Sequence, residues 1–241
     1  MTLLALMYHQ ARPGPLGNAP EMLDAHFSRI AEAYRCVLPG EPLDPGRLNV
    51  CLTFDDAYFD FYAVVFPLLV RHGLRALLAV PPAIVAERAS APRARRLVAA
   101  VAQEGVPPDP EGFCTWSELR EMTESGRVAV GAHGHSHCRV DRPGVDLETE
   151  VVLPRALLAS RLGTPVESFV FPFGRFSRAA LRKVRQHYRF AFRIGGGDNA
   201  GWGGLLHRVR GDDLASPDAP FARRRRAAYR ARRYWGRLRG R

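Results

Sequence analysis

Two short runs hold the residue types that could do chemistry. Asp55 and Asp56 stand side by side at the end of an apolar run, residues 50–56. Side chains alternate along a strand, so adjacent carboxylates at its end point different ways. One can bind a metal while the other stays free as a base. Aspartates there can equally cap a following helix. The second run is His133-Gly-His-Ser-His137, three of the chain's eight histidines within five residues. Neutral imidazole suits zinc, cobalt, nickel or ferrous iron. In a turn or helix start, His133 and His137 share a face and His135 points elsewhere. In a continuing strand all three share one face. The bland alternative is a solvated polar loop. Two histidines and a carboxylate leave positions open on a metal for water and substrate, which is a catalytic arrangement.

Such groups need rigid elements to hold them. Apolar runs at 3–9, 50–56, 76–80, 128–133, 169–173, 190–194 and 205–209 read as strands. Segments 21–35, 59–72, 93–104, 146–162 and 177–187 read as helices. Thr115-Trp-Ser-Glu118 is a capping box that opens another. Strand–helix alternation predicts a parallel sheet, and about seven strands in this length favour barrel-like closure over a small open sheet. Such folds place chemistry at the C-terminal strand ends. There stand Tyr8-His9, Asp55-Asp56, the histidine run and Pro172-Phe173-Gly174, with His207 on the last strand.

Composition narrows the classes. At 241 residues and 46% hydrophobic, the chain can bury a sizeable core and is not a disordered protein. Its longest apolar stretch, residues 76–86, is short and contains Pro81 and Pro82, so it cannot span a bilayer. The N-terminus lacks a basic region and a cleavage site, so no secretory signal is expected. Cys36, Cys51, Cys114 and Cys138 are scattered and fit neither a disulfide framework nor a CxxC metal site. A cytoplasmic protein is the expectation.

The net charge of +11 is unevenly placed. Residues 221–241 hold ten arginines and no acid, leaving 25 Lys+Arg against 24 Asp+Glu in the rest. The expected organisation is one catalytic domain, residues 1–215, and a Pro-containing linker with an Arg-rich helical tail, residues 216–241. Ala227, Ala228, Ala231, Tyr234, Trp235 and Leu238 recur at helical spacing between arginines. That is a basic amphipathic helix, the pattern of an anionic membrane surface. A solvated tail is the alternative. Nucleic acid is disfavoured, because the near-neutral body offers no second basic patch.

The motifs, in their order, resemble the polysaccharide deacetylases of the NodB homology group. Thr53-Phe54-Asp55-Asp56 followed by His133-x-x-x-His137 carries the likeness. Leu6-Met7-Tyr8-His9 resembles that family's first-strand segment. Residues 113–122 resemble the stretch before its histidine motif, and Phe171-Pro172-Phe173-Gly174 its third motif. Leu205-Leu206-His207 resembles its Leu-x-His motif. The resemblance implies a distorted (β/α) barrel with a divalent metal, commonly zinc, held by Asp56, His133 and His137. Asp55 would be the base that takes a proton from the attacking water. The Phe173 backbone N–H would stabilise the oxyanion, and His207 would protonate the leaving amine. Pro172, Trp202 and Tyr8 would contact substrate, an N-acetylated glycan or glycolipid, with a core tryptophan as the alternative for Trp202. A basic tail at the inner membrane face would suit a lipid-linked substrate.

Departures from the family pattern are local. Ala57 follows Asp56 where glycine is usual, and Cys138 follows His137 where proline is common. Val170 stands where the family often has an arginine that orients the base. Asp198 and Trp202 only loosely resemble a fourth Asp–Trp motif. Two rival readings remain: a different metal-dependent amidohydrolase using His133-x-His135, and an inactive glycan-binding or scaffold domain that keeps the metal site.

Overall fold

The computed structural model describes residues 2–100 and 109–238. Its centre is a parallel sheet that closes on itself. The strands are β1 (Thr2–Tyr8), β2 (Arg35–Cys36), β3 (Leu48–Phe54), β4 (Ala76–Val80), β5 (Val128–Ala132), β6 (Ser168–Val170), β7 (Phe190–Ile194) and β8 (Leu205–Arg210). β1 pairs with β8 on one edge and β3 on the other, which completes a seven-stranded ring. The short β2 lies outside that ring, beside the lower half of β3, while β4 takes the upper half. The seam between β5 and β6 is narrow, a single paired position at Ala132 and Phe169.

Period-two alternation decides what each strand shows to the barrel interior. Leu3, Ala5, Cys51, Leu77, Ala79, Val170, Phe192 and Leu206 fill it. Leu4, Leu6, Leu52, Phe54, Val130 and Phe169 face outward and pack beneath the helices. These are α1 (Pro20–Ala33), α2 (Phe66–Arg71), α3 (Arg93–Ala99), α4 (Trp116–Glu124), α5 (Leu153–Leu162), α6 (Arg178–His187) and α7 (Arg223–Leu238). α4 opens on the expected capping box, with both reciprocal bonds of Thr115 and Glu118 formed. The part of the expected helix 93–104 beyond residue 100 lies outside the described residues, as do residues 239–241 and the Trp235 side chain of the tail.

Two helices begin with a wide π turn, Phe61–Val65 before α2 and Glu148–Val152 before α5. Each is followed by a proline in the first turn of the α-helix, Pro67 and Pro154. A proline has no N–H for the carbonyl four residues back, and the wider turn absorbs the loss. The Ala63 carbonyl left over in the first case accepts from Arg93 Nη2 (2.6 Å).

The segment expected to be a linker is packed. Pro217 carbonyl accepts from His26 Nδ1 (2.5 Å), and the Phe221 ring lies over His26 and Tyr34 of the α1 region. Tyr229 of α7 is buried in the outer core. Arg233 pairs with Asp198, and Arg232 donates to the Gly196 carbonyl. α7 therefore docks on the barrel with its arginine-rich side exposed. Among the described residues no helix is long and apolar enough to cross a membrane.

Candidate active site

The site gathers at the C-terminal end of the barrel, from the segments that follow β1, β3, β5, β6 and β8. Alternation along β3 turns Cys51, Thr53 and Asp55 inward. Asp56 begins the turn, at φ 73°, with Ala57 behind it at φ 56°. The left-handed backbone costs about 1–2 kcal/mol at a non-glycine residue. This is the position where the resembled family has glycine.

Asp56, His133 and His137 offer ligand atoms that all lie within 4.8 Å of one another. His133 Nδ1 is bonded to the Val170 carbonyl (2.8 Å), which fixes the tautomer and leaves Nε2 bare toward Asp56. Asp56 Oδ1 lies 3.4 Å from His133 Nε2 and 3.2 Å from His137 Nε2. That oxygen is buried and has no hydrogen-bond partner. An unpartnered carboxylate oxygen between two imidazole nitrogens suits a divalent cation. Burial holds the His137 pKa below its ordinary value, which keeps the imidazole neutral as a ligand must be. His135 stands apart from this cluster, so the His133-x-His135 alternative finds no geometric support.

Asp55 is almost wholly enclosed and grips Arg208 with both oxygens, Nη1–Oδ1 2.6 Å and Nη2–Oδ2 2.8 Å. Arg208 Nη1 also donates to Thr53 Oγ1 (3.2 Å). Burial raises the Asp55 pKa, but Arg208, His133 and His9 outweigh it and hold the carboxyl well below the usual range. Arginine is thus present beside the base, but from β8. The Val170 side chain on β6, where the family often carries that arginine, is part of the barrel packing.

His9 is the site residue that the motif reading passed over. Its ring Nδ1 bonds Asp212 Oδ2 (2.7 Å), and its backbone N–H donates to Asp212 Oδ1 (3.0 Å). This leaves Nε2 facing Asp55 Oδ2 at 3.8 Å. Burial pushes the His9 pKa down. The Asp212 hydrogen bond and the charges of Asp55, Asp212 and Asp56 more than offset it, raising the value to about 9. Gly211 lets β8 bring Asp212 this close: a Cβ there would sit 2.3 Å from the Tyr8 ring. The signal was in the sequence. His9 follows Tyr8 on a strand whose even positions face outward, so an inward residue comes next.

Other expected residues fall elsewhere. His207 lies on the opposite face of β8 from Arg208. Its backbone is clasped by the Asn199 amide, with both bonds at 2.9 Å, and its ring lies against Gly195 in a groove with Arg233. It cannot reach the reacting groups as the acid. Tyr8 points outward too; it is buried, its hydroxyl bonded to His26 Nε2 (2.7 Å) and its ring stacked on Phe54. Trp202 closes the far end of the barrel, with Nε1 donating to the Glu41 carbonyl (2.8 Å) and its ring against Phe190, the first residue of β7. Neither can touch a substrate at the mouth. Pro172 is buried under Gly134 and supports the histidine turn. Phe173 is at the site, with φ 57°, its ring 4.7 Å from His137 and 53% exposed.

Comparison with known proteins shows the family. A family model for polysaccharide deacetylases matches residues 44–189. The chain belongs to the polysaccharide deacetylase family, a family of hydrolases that remove acetyl groups from glycans. Among solved structures it resembles the Streptococcus pyogenes deacetylase PplD, determined with acetate, at 21% identity and TM-score 0.72, over 92% of this chain and 97% of that one. IcaB from Ammonifex degensii is 22% identical with TM-score 0.69, over 91% and 94% of the two chains. The BpsB deacetylase domain from Bordetella bronchiseptica is 20% identical with TM-score 0.67, over 87% and 95%. At these identities the likeness speaks to the fold. No curated protein matches the sequence.

Proposed function

We propose that the protein hydrolyses the acetamide of an N-acetylhexosamine unit in a polysaccharide or lipid-linked glycan, with a divalent metal held by Asp56, His133 and His137. Zinc is the first choice for two imidazoles and a carboxylate, with cobalt, nickel and ferrous iron as alternatives. The single observation that carries the reading is the meeting of that ligand set with Asp55, paired to Arg208, and His9, paired to Asp212, at one barrel mouth.

When bound, such a metal polarises the acetyl carbonyl and makes a water more acidic. The chain supplies the rest. Asp55, kept ionised and in one orientation by Arg208, accepts a proton from the attacking water. The water oxygen bonds to the carbonyl carbon, and the backbone N–H of Phe173 stabilises the resulting oxyanion. As the C–N bond breaks, His9 gives its Nε2 proton to the departing amine and Asp212 stabilises the ring while it is charged. Acetate and a free hexosamine amine are the products. The exposed Phe173 ring offers a face for a sugar.

The reading of α7 as an anionic-surface anchor is supported by charge. Arg223, Arg224, Arg225 and Arg230 are exposed, while Tyr229 is used in docking to the barrel. Contact with a membrane would therefore be electrostatic rather than insertive. Replacing those four arginines with glutamine should abolish sedimentation with anionic vesicles, and unchanged sedimentation would end this reading.

Metal dependence is tested by acetate release from N-acetylglucosamine oligomers. Chelation should stop release and added zinc should restore it. Release indifferent to chelation would overturn the proposal.

A further inference from the structure

We propose that Glu150 is the positioning residue that holds the 133–137 turn in its metal-ligating shape. This rests on the assignment of His133 and His137 as ligands. The two histidines are oriented in different ways. His133 stands at a strand end and is fixed through its own ring by the Val170 carbonyl. His137 has no such bond from its ring to a backbone carbonyl among the described residues, and gets its direction from the turn that carries it, with the His133 and Phe173 rings and Asp56 beside it.

That turn is unfavourable backbone. Gly134 has φ 71° and His137 φ 60°. A left-handed histidine persists only where its surroundings over-determine it. Between these two positions, Glu150 collects the donors. One carboxylate oxygen accepts the N–H groups of His135 (2.9 Å) and Ser136 (3.2 Å). The other accepts the Ser136 hydroxyl (2.7 Å). Two successive backbone N–H groups on one anion form a nest, here closed by a side chain of the same protein.

The fold delivers this carboxylate deliberately. Glu150 sits in the middle of the π turn that Pro154 forces ahead of α5, and the wider turn carries its side chain inward, to 7% exposure. Gly134 makes room: a Cβ there would lie 3.1 Å from Glu150 Oε2 and 3.4 Å from Pro172. Glu150 thus reaches the metal through the backbone of the turn, and never touches it.

The test is zinc affinity of the full chain, read by competition with a chromogenic chelator, with circular dichroism to check the fold. Loss of a residue that orients a ligand costs about 10–100-fold in metal affinity. Glu150→Ala should lose that much. Glu150→Gln keeps an acceptor for the two N–H groups and should lose less, and it carries the test if the alanine variant does not fold. Tyr188→Phe is the control, because the Tyr188 hydroxyl donates to the Val151 carbonyl in the same turn (2.7 Å) without touching the nest. Its zinc affinity should equal wild type. Wild-type affinity in folded Glu150→Ala or Glu150→Gln would overturn the proposal, as would an equal loss in Tyr188→Phe. His137→Ala separates the underlying assignment: if it binds zinc as wild type does, the ligand set is wrong, whatever Glu150 does.

Discussion

Arg208 of β8 and Asp55, the residue after β3, form a two-pronged ion pair inside the barrel, at 2.6 and 2.8 Å, with the arginine side chain fully enclosed. Breaking such a pair leaves a charge stranded, which costs about 3–5 kcal/mol. Arg208→Met should lose that much stability in denaturant unfolding. The double variant Arg208→Met/Asp55→Asn should be less destabilised than Arg208→Met, because no charge is left behind. Arg208→Lys keeps the charge but not the fork, and kcat should fall about 100-fold through misorientation of Asp55.

His9 and His207 are rivals for the role of acid, and kinetics separates them. His9→Ala should lower kcat by about 10²–10⁴-fold, the usual worth of a general acid. His207→Ala should leave kcat within about twofold, since its ring lies outside the barrel wall.

The acid must be protonated to act, so activity should fall as pH rises through the His9 pKa, raised to about 9. Asp212 supplies the main upward pull. Asp212→Asn should therefore move the alkaline limb of the pH–rate profile to lower pH. An unmoved limb would remove His9 from the mechanism.

Tyr8 and Trp202 belong to packing, and their variants should say so. Tyr8→Phe strands buried His26 Nε2 and should cost about 1–3 kcal/mol of stability. Its KM for an N-acetylated oligosaccharide should match wild type. Trp202→Phe should behave likewise, losing the bond to Glu41 and no affinity for substrate.

Asp60 gives a stability signature that does not depend on the reaction. Burial lifts its pKa to about 6, against the pull of the Ala11 and Phe61 N–H groups and Arg12. The folded state then holds a proton more tightly than the unfolded chain, whose value is near 3.8. This group's contribution is fully present below about pH 4 and is lost as pH rises through about 6. Asp60→Asn should be more stable than wild type at pH 8 by about 2–3 kcal/mol, with the gap closing at pH 4. The comparison is a pair of urea titrations at each pH.

The barrel was legible because its strands are apolar runs with turn signals between them, and each such run became a strand. β2 was not legible, since two residues carry no period. Residue type and spacing marked the two acids and the three histidines as candidate ligands, and the choice of Asp56, His133 and His137 among them came from the family resemblance. The proposed acid, His9, was not legible, because adjacent strand residues differ by a flip of face. On β8 and β1 alike, the residue singled out, His207 or Tyr8, faces outward, and its neighbour, Arg208 or His9, faces Asp55. Arg208 itself escaped because an arginine in a basic chain carries no signal until its partner is known. Trp202 was misplaced because the glycine-rich connection from β7 to β8 runs the full height of the barrel, away from the mouth.

The central claim is deacetylation with Asp55 as base. The most direct measurement is acetate released from N-acetylglucosamine oligomers by the zinc-loaded protein and by its Asp55→Asn variant, which keeps the shape of the side chain and removes its basicity. Release by wild type, and at least about 100-fold less by the variant, is the predicted result. Equal release by the two proteins, or none by wild type with any of zinc, cobalt, nickel or ferrous iron, would contradict it.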